Sequence, residues 1–155
     1  MSMNEVIRES AELIRWIDER VNGLQLNVDG LELKSQLRLR LAGGTLMVVL
    51  EHQRGIVTLI ANQHFASSRV LLRPIFETYI RGLWMKNCAS DSQLAKFNLR
   101  GIESEFSVLL TAVETIEGFE SKTLSSIKSR YWKVMNDYTH TGFQQVVRHL
   151  TEDTI

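Results

Sequence analysis

The sequence predicts an all-α fold, an antiparallel helical bundle of about five to seven helices. Three observations lead there. Apolar residues recur at helical spacing along most of the chain, and no stretch alternates as a half-buried strand does. Pro74 is the single proline. Leu, Glu, Arg and Lys, which lose little freedom on entering a helix, are frequent. At 155 residues and 44% hydrophobic content, residues 1–155 are expected to form one domain with its own core.

The first helix is expected from about Asn4 to Val21, with Val6, Ile7, Leu13, Ile14, Ile17 and Val21 at helical spacing. Ser2 or Asn4 would cap it, and Asn22-Gly23 would end it. Val28-Asp29-Gly30 reads as a turn. A second helical region should run from near Leu31 to about Asn62, interrupted at Gly43-Gly44 by a break or a close helix approach. Ser67-Ser68 can cap a helix reaching Cys88, and Pro74 within it implies a kink or a true start near Arg73. Ala89-Ser90-Asp91 is a turn and cap. A long helix follows to about Glu117, stopped by Gly118. From Ser121 to Tyr138, the apolar face holds Leu124, Ile127, Tyr131, Trp132 and Met135. Gly142 to Leu150 is a short last piece. It would leave a bundle without its final helix, in a shortened chain or one covered by a partner.

Charge and composition exclude several classes. Eighteen basic residues balance eighteen acidic ones, so any nucleic-acid contact must come from a local patch. The single cysteine, Cys88, cannot form an intrachain disulfide, reads as a buried thiol and suits a reducing cytoplasm. The charged start lacks the apolar run of a signal peptide, and Leu46 to Leu50 is too short to cross a bilayer. His52, His64, His140 and His149 show no metal-ligand spacing. Phosphate-binding glycine loops and nucleophile elbows are absent from the sequence. No metal and no cofactor is expected.

Two polar islands remain. Arg69, Arg73, Glu77 and Arg81 step by four along one expected helix, amid Leu71, Leu72, Ile75, Phe76, Tyr79, Ile80, Leu83 and Trp84. Charges on so apolar a helix either satisfy one another or line a cleft. The second island, Asn136-Asp137-Tyr138-Thr139-His140-Thr141-Gly142, sets Asn136 and His140 on one face. Thr141 and Gln144 form a capping-box pattern that opens a new helix, so His140 should stand at a corner between two helices. A His there can move a proton; equally, it can join a hydrogen-bond network at the helix ends. Both islands need partners, which predicts that His140, Asn136, Arg73 and Glu77 lie near one another.

Read together, the stretch from Ser67 to Trp84, with its Arg73-Pro74-x-x-Glu77 core, and the Asn136-x-x-x-His140 corner resemble a bacterial family of HEPN-like helical proteins. That family is related to abortive-infection and toxin-type HEPN domains. The likeness covers roughly residues 51–145. It implies an antiparallel helical bundle, often dimeric, and cleavage of RNA without a metal through an Arg, a polar residue and a His in one short motif. His140 matches the His, and Asn136-Asp137 fall in the polar positions. The Arg has no match at that spacing, because Arg130 lies too far upstream. Arg73 or Arg81 can replace it only if the fold brings them close.

The expectation is therefore a cytoplasmic, HEPN-like defence or toxin-type protein acting on RNA. His140 and Asn136 would carry the chemistry, Arg73 and Arg81 the phosphate, and Glu77 their orientation. A homodimer and an RNA or protein antitoxin partner go with that reading, and a membrane does not. The alternative is a non-catalytic helical interaction module whose Arg, Glu and His network is structural.

Overall fold

The computed structural model describes residues 3–28, 36–101, 104–140, 142 and 147. Among these residues the chain forms seven helices and no strand. They are α1 (Met3–Val28), α2 (Leu37–Ala61), α3 (Phe65–Val70), α4 (Leu72–Asn87), α5 (Asp91–Arg100), α6 (Phe106–Val113) and α7 (Thr123–Thr139). The fold is an all-helical bundle, as expected. No helix among the described residues is long and apolar enough to cross a membrane.

Helix α4 is central and packs on α2, α3, α6 and α7. Its Ile80, Trp84 and Met85 meet Ala42 of α2, Leu94 of α5, Leu109, Leu110 and Val113 of α6, and Leu124 of α7 in one core. Ile80, Met85 and Val113 are wholly sealed from solvent, and each contributes about 1.5–3 kcal/mol of burial. Gly82 lets α2 come close: a Cβ there would stand 2.9 Å from Leu46 Cδ2. Gly44, by contrast, has nothing within 4 Å of the position of a Cβ.

Several boundaries differ from expectation, mostly at glycines. α1 runs through Asn22-Gly23 to Val28, and α2 passes through Gly43-Gly44 unbroken. A glycine weakens a helix by about 1 kcal/mol but ends it only when the backbone turns left-handed. Among the described residues, Gly101 (φ 87°) and Gly118 (φ 88°) do so. Gly101 accordingly divides the long helix expected from Asp91 to Glu117 into α5 and α6. The helix expected to reach Glu117 and stop at Gly118 ends at Val113, and Gly118 lies in the turn beyond it. The turn expected at Val28-Asp29-Gly30 and the capping box of Thr141 and Gln144 lie outside the described residues, as does most of the piece from Gly142 to Leu150.

Ser67 and Ser68 lie inside α3 and do not cap a helix. Ser68 is buried and donates to the Phe65 carbonyl at 2.8 Å. The true start comes at Leu72, one residue before the one Pro74 suggested. Pro74 is the third residue of α4, where its missing N–H costs little, and it has none to give the Val70 carbonyl. Ser90 caps α5 with both arms of a capping box: Gln93 N–H to Ser90 Oγ at 3.3 Å, and Ser90 N–H to Gln93 Oε1 at 2.8 Å. On α7, Leu124 and Met135 are buried as expected, but Ile127 and Tyr131 face solvent.

Candidate functional site

The joint at Leu71 reorganises the first polar island. Arg69 falls on α3, so the stripe of four divides into one and three. Its guanidinium lies over the Tyr138 ring, 5.7 Å from the centroid. On α4, Arg73 Nε donates to Glu77 Oε1 at 2.8 Å, and Arg81 Nη1 meets Glu77 Oε2 at 3.0 Å. The four-residue spacing sets all three side chains on one face. The Glu77 side chain is 15% exposed, Arg73 26% and Arg81 35%, so the ladder stands at the rim of the bundle.

The second island supplies the partner. His140 is the C-cap of α7: its N–H bonds the Asn136 carbonyl at 3.0 Å, and its ring is exposed. Arg73 Nη1 lies 3.2 Å from His140 Nε2, across 67 residues of sequence. A guanidinium only donates, so in this contact Nε2 offers its lone pair and a neutral ring carries its proton on Nδ1. The fold thus brings Arg73, from another helix, to His140. Two of its five N–H groups are engaged in these two bonds.

Helix α7 contributes more than the sequence signalled. Lys128, Trp132, Asn136 and His140 step by four on it. The Arg73 guanidinium sits over Trp132, 5.0 Å from its centroid. Phe106 of α6 stacks on Trp132 at 5.0 Å with planes 7° apart, and Phe76 of α4 meets Phe106 edge-on at 5.7 Å. This aromatic platform ties three helices together and fixes Arg73. Lys128 Nζ lies 5.5 Å from the Trp132 ring and 5.6 Å from the Phe106 ring. Continuing the Asn136–His140 step upstream would have found Trp132 and Lys128. The distant Phe106 left no such mark.

Arg73, Glu77, Arg81 and His140 are thus linked in one chain of contacts. Asn136 lies one turn before His140, and its Oδ1 is sealed without a hydrogen-bond partner among the described residues. Gly142 closes the corner through its N–H on the Asp137 carbonyl at 2.7 Å, and a Cβ there would collide with the Asp137 carboxylate. Among the described residues, no three His, Cys, Asp or Glu side chains converge. Cys88, expected buried, is half-buried, 3.5 Å from the Ala112 carbonyl, and burial pushes its thiol up.

Beside Trp132, a shallow groove of about 490 Å³ opens between α6 and α7, walled by Thr111, Ser125, Ser129, Lys128 and Lys133. Thr111 Oγ donates to the Ser107 carbonyl at 2.9 Å, and Ser125 Oγ to Glu114 Oε2 at 2.5 Å.

Fold and site together define an all-helical bundle with an arginine–histidine contact at its rim, backed by an aromatic platform. Residues 46–154 match the family of unknown function DUF6988, and the chain belongs to that family. The match takes in α4, α7 and every residue of the site. No curated protein and no solved structure matches the chain.

Proposed function

We propose that this chain is a HEPN-like protein of bacterial defence or toxin type that binds RNA on the α4–α7 face and cleaves it without a metal. One observation carries the reading: the contact between Arg73 and His140 at an exposed position. RNA brings its own nucleophile. As Arg73 turns from His140 to the phosphate, the freed Nε2 lone pair takes the proton of a ribose 2′-OH, the oxygen attacks the adjacent phosphorus, and the bond to the 5′ oxygen breaks. The departing oxygen is protonated from water. Arg73 and Arg81 hold the phosphate oxygens, for which a planar fork is well shaped, and Glu77 keeps both forks in place. Asn136 lies on the same face as His140, and since its Oδ1 is sealed the side-chain NH2 is the group that can orient the substrate.

The test incubates the protein with RNA in EDTA beside the His140→Ala variant. Loss of an acid–base group lowers the rate by about two to four powers of ten. No cleavage by the wild-type protein, or equal cleavage by both, would remove this reading.

A second reading is favoured by Glu77, whose two oxygens satisfy Arg73 and Arg81 at once. In that case the ladder fixes the packing of α4 on α7 and the chain is an interaction module. His140→Ala then costs stability and changes no reaction. Under either reading the protein acts as a homodimer, and under the first its partner is RNA or a protein antitoxin. Leu13, Trp16 and Leu24 of α1, each more than half exposed, give a second copy apolar surface to cover.

A further inference from the structure

We infer that the groove between α6 and α7 holds a ribose phosphate and distinguishes ribose from deoxyribose. The inference rests on the reading of the α4–α7 face as an RNA site and extends it along the strand. The groove joins two kinds of group. Lys128 and Lys133 offer ammonium donors to a phosphate. The hydroxyls of Thr111 and Ser125 have already given their protons, to the Ser107 carbonyl and to Glu114. What they present to a ligand is lone pairs, so they accept from a hydroxyl and have nothing to give an acceptor. Exposed Ser129 stands beside them on the same wall. A ligand that suits this wall carries an anion and a hydroxyl donor close together. A ribonucleotide does; a deoxyribonucleotide lacks the 2′-OH.

Trp132 connects the groove to the Arg73–His140 contact, since it lines one and supports the guanidinium of the other. His140 lies eight residues along α7 from Trp132, about 12 Å of helix rise, so one short strand can reach both. Lys128, held against two rings, stands in the groove for the phosphate of the nucleotide bound there. The same chemistry can arrive as a free ribonucleotide or within an RNA strand, and we assign the strand because Trp132 belongs to both the groove and the Arg73 site.

The experiment measures fluorescence anisotropy of a labelled single-stranded oligoribonucleotide, and of the same sequence in DNA, with the full chain in EDTA, read at mixing on ice before cleavage accumulates. RNA is expected to bind about tenfold more tightly than DNA, the step that about 1.4 kcal/mol supplies. Lys128→Ala should weaken both about equally. The double variant Thr111→Val, Ser125→Ala should lose the preference for RNA and keep its DNA affinity. Thr111 is exposed, the Ser125 backbone N–H keeps its bond to Glu114 Oε1 in the variant, and circular dichroism confirms that the variant is folded. RNA preference that survives this variant, with binding still dependent on Arg73, overturns the groove and leaves the RNA reading of the α4–α7 face intact. Preference lost in the variant, with binding indifferent to Arg73→Ala and His140→Ala, keeps the groove and overturns that reading. Absence of RNA binding overturns both. Displacement of the RNA by an equal concentration of uridine 5′-monophosphate overturns the strand in favour of the free nucleotide.

Discussion

Glu77 divides its oxygens between Arg73 and Arg81, 2.8 and 3.0 Å away, at a position only 15% exposed. Glu77→Ala leaves two guanidiniums on one face without their shared acceptor. It should cost about 1–2 kcal/mol, discounted toward the lower figure for the third of Arg81 open to solvent. Arg81→Ala should cost less, because Glu77 keeps Arg73. Urea denaturation of both variants checks the order, and a reversed order would show that Arg81 does more than pair. Asn136 poses a different question. Its sealed, unpartnered Oδ1 carries a desolvation cost that no contact within the described chain offsets. Asn136→Leu, similar in shape and apolar, is expected to stabilise the fold by up to about 1 kcal/mol while weakening RNA binding. A variant both less stable and equally able to bind would mean that Asn136 is structural. In the sequence, Arg73, Glu77 and Arg81 were legible as a ladder because four-residue spacing is a local property. The bond from Arg73 to His140 spans 67 residues and was inferred only from the need of polar islands for partners.

Glycine acts differently from one helix to the next. Gly44 lies in the middle of α2 with nothing within 4 Å of the position of a Cβ. Gly44→Ala should therefore stabilise by up to about 1 kcal/mol, through helix propensity and the loss of unfolded-state freedom. Gly82→Ala meets Leu46 at 2.9 Å where α2 and α4 touch, and overpacking there should cost about 1–3 kcal/mol against that gain. Thermal melts of the two variants should move in opposite directions; melts moving together would remove Gly82 from its role at the crossing. Ser90→Ala removes an N-cap with both arms in place and should cost about 1 kcal/mol. Those local signals were readable: Ser90 as a cap, and Pro74 as the marker of a helix start beside it. The double glycine misled because exposed glycines inside a helix weaken it without turning the chain. Gly101 was missed because its left-handed backbone, and not its identity, ends α5.

At the scale of the molecule, α4 serves both the core and the rim, with Ile80 and Met85 buried and Arg73 and Arg81 partly exposed. Cys88, just beyond the end of α4, reports on that packing. Burial raises its thiol above the ordinary 9.0. A raised value in the folded state means the folded chain keeps this proton longer than the unfolded one. The associated stability is complete below about pH 9 and is lost as pH rises through the folded value. The alkylation rate of Cys88 should accordingly reach its midpoint above 9.0, and Cys88→Ala should flatten the alkaline decline of stability. A midpoint below 9.0 would mean an open, activated thiol. By itself the sequence determined that the chain is helical, where most helices lie, and which residues form the two polar islands. These follow from spacing within a few turns, where the backbone hydrogen bonds are local. Only the tertiary structure decided that Arg73 meets His140, that Phe106 and Trp132 stack beneath it, and that hydroxyls from two helices share one wall. Those contacts depend on how α4, α6 and α7 lie against one another, which is set by the shape of the core they share. Spacing along one helix carries no record of that arrangement.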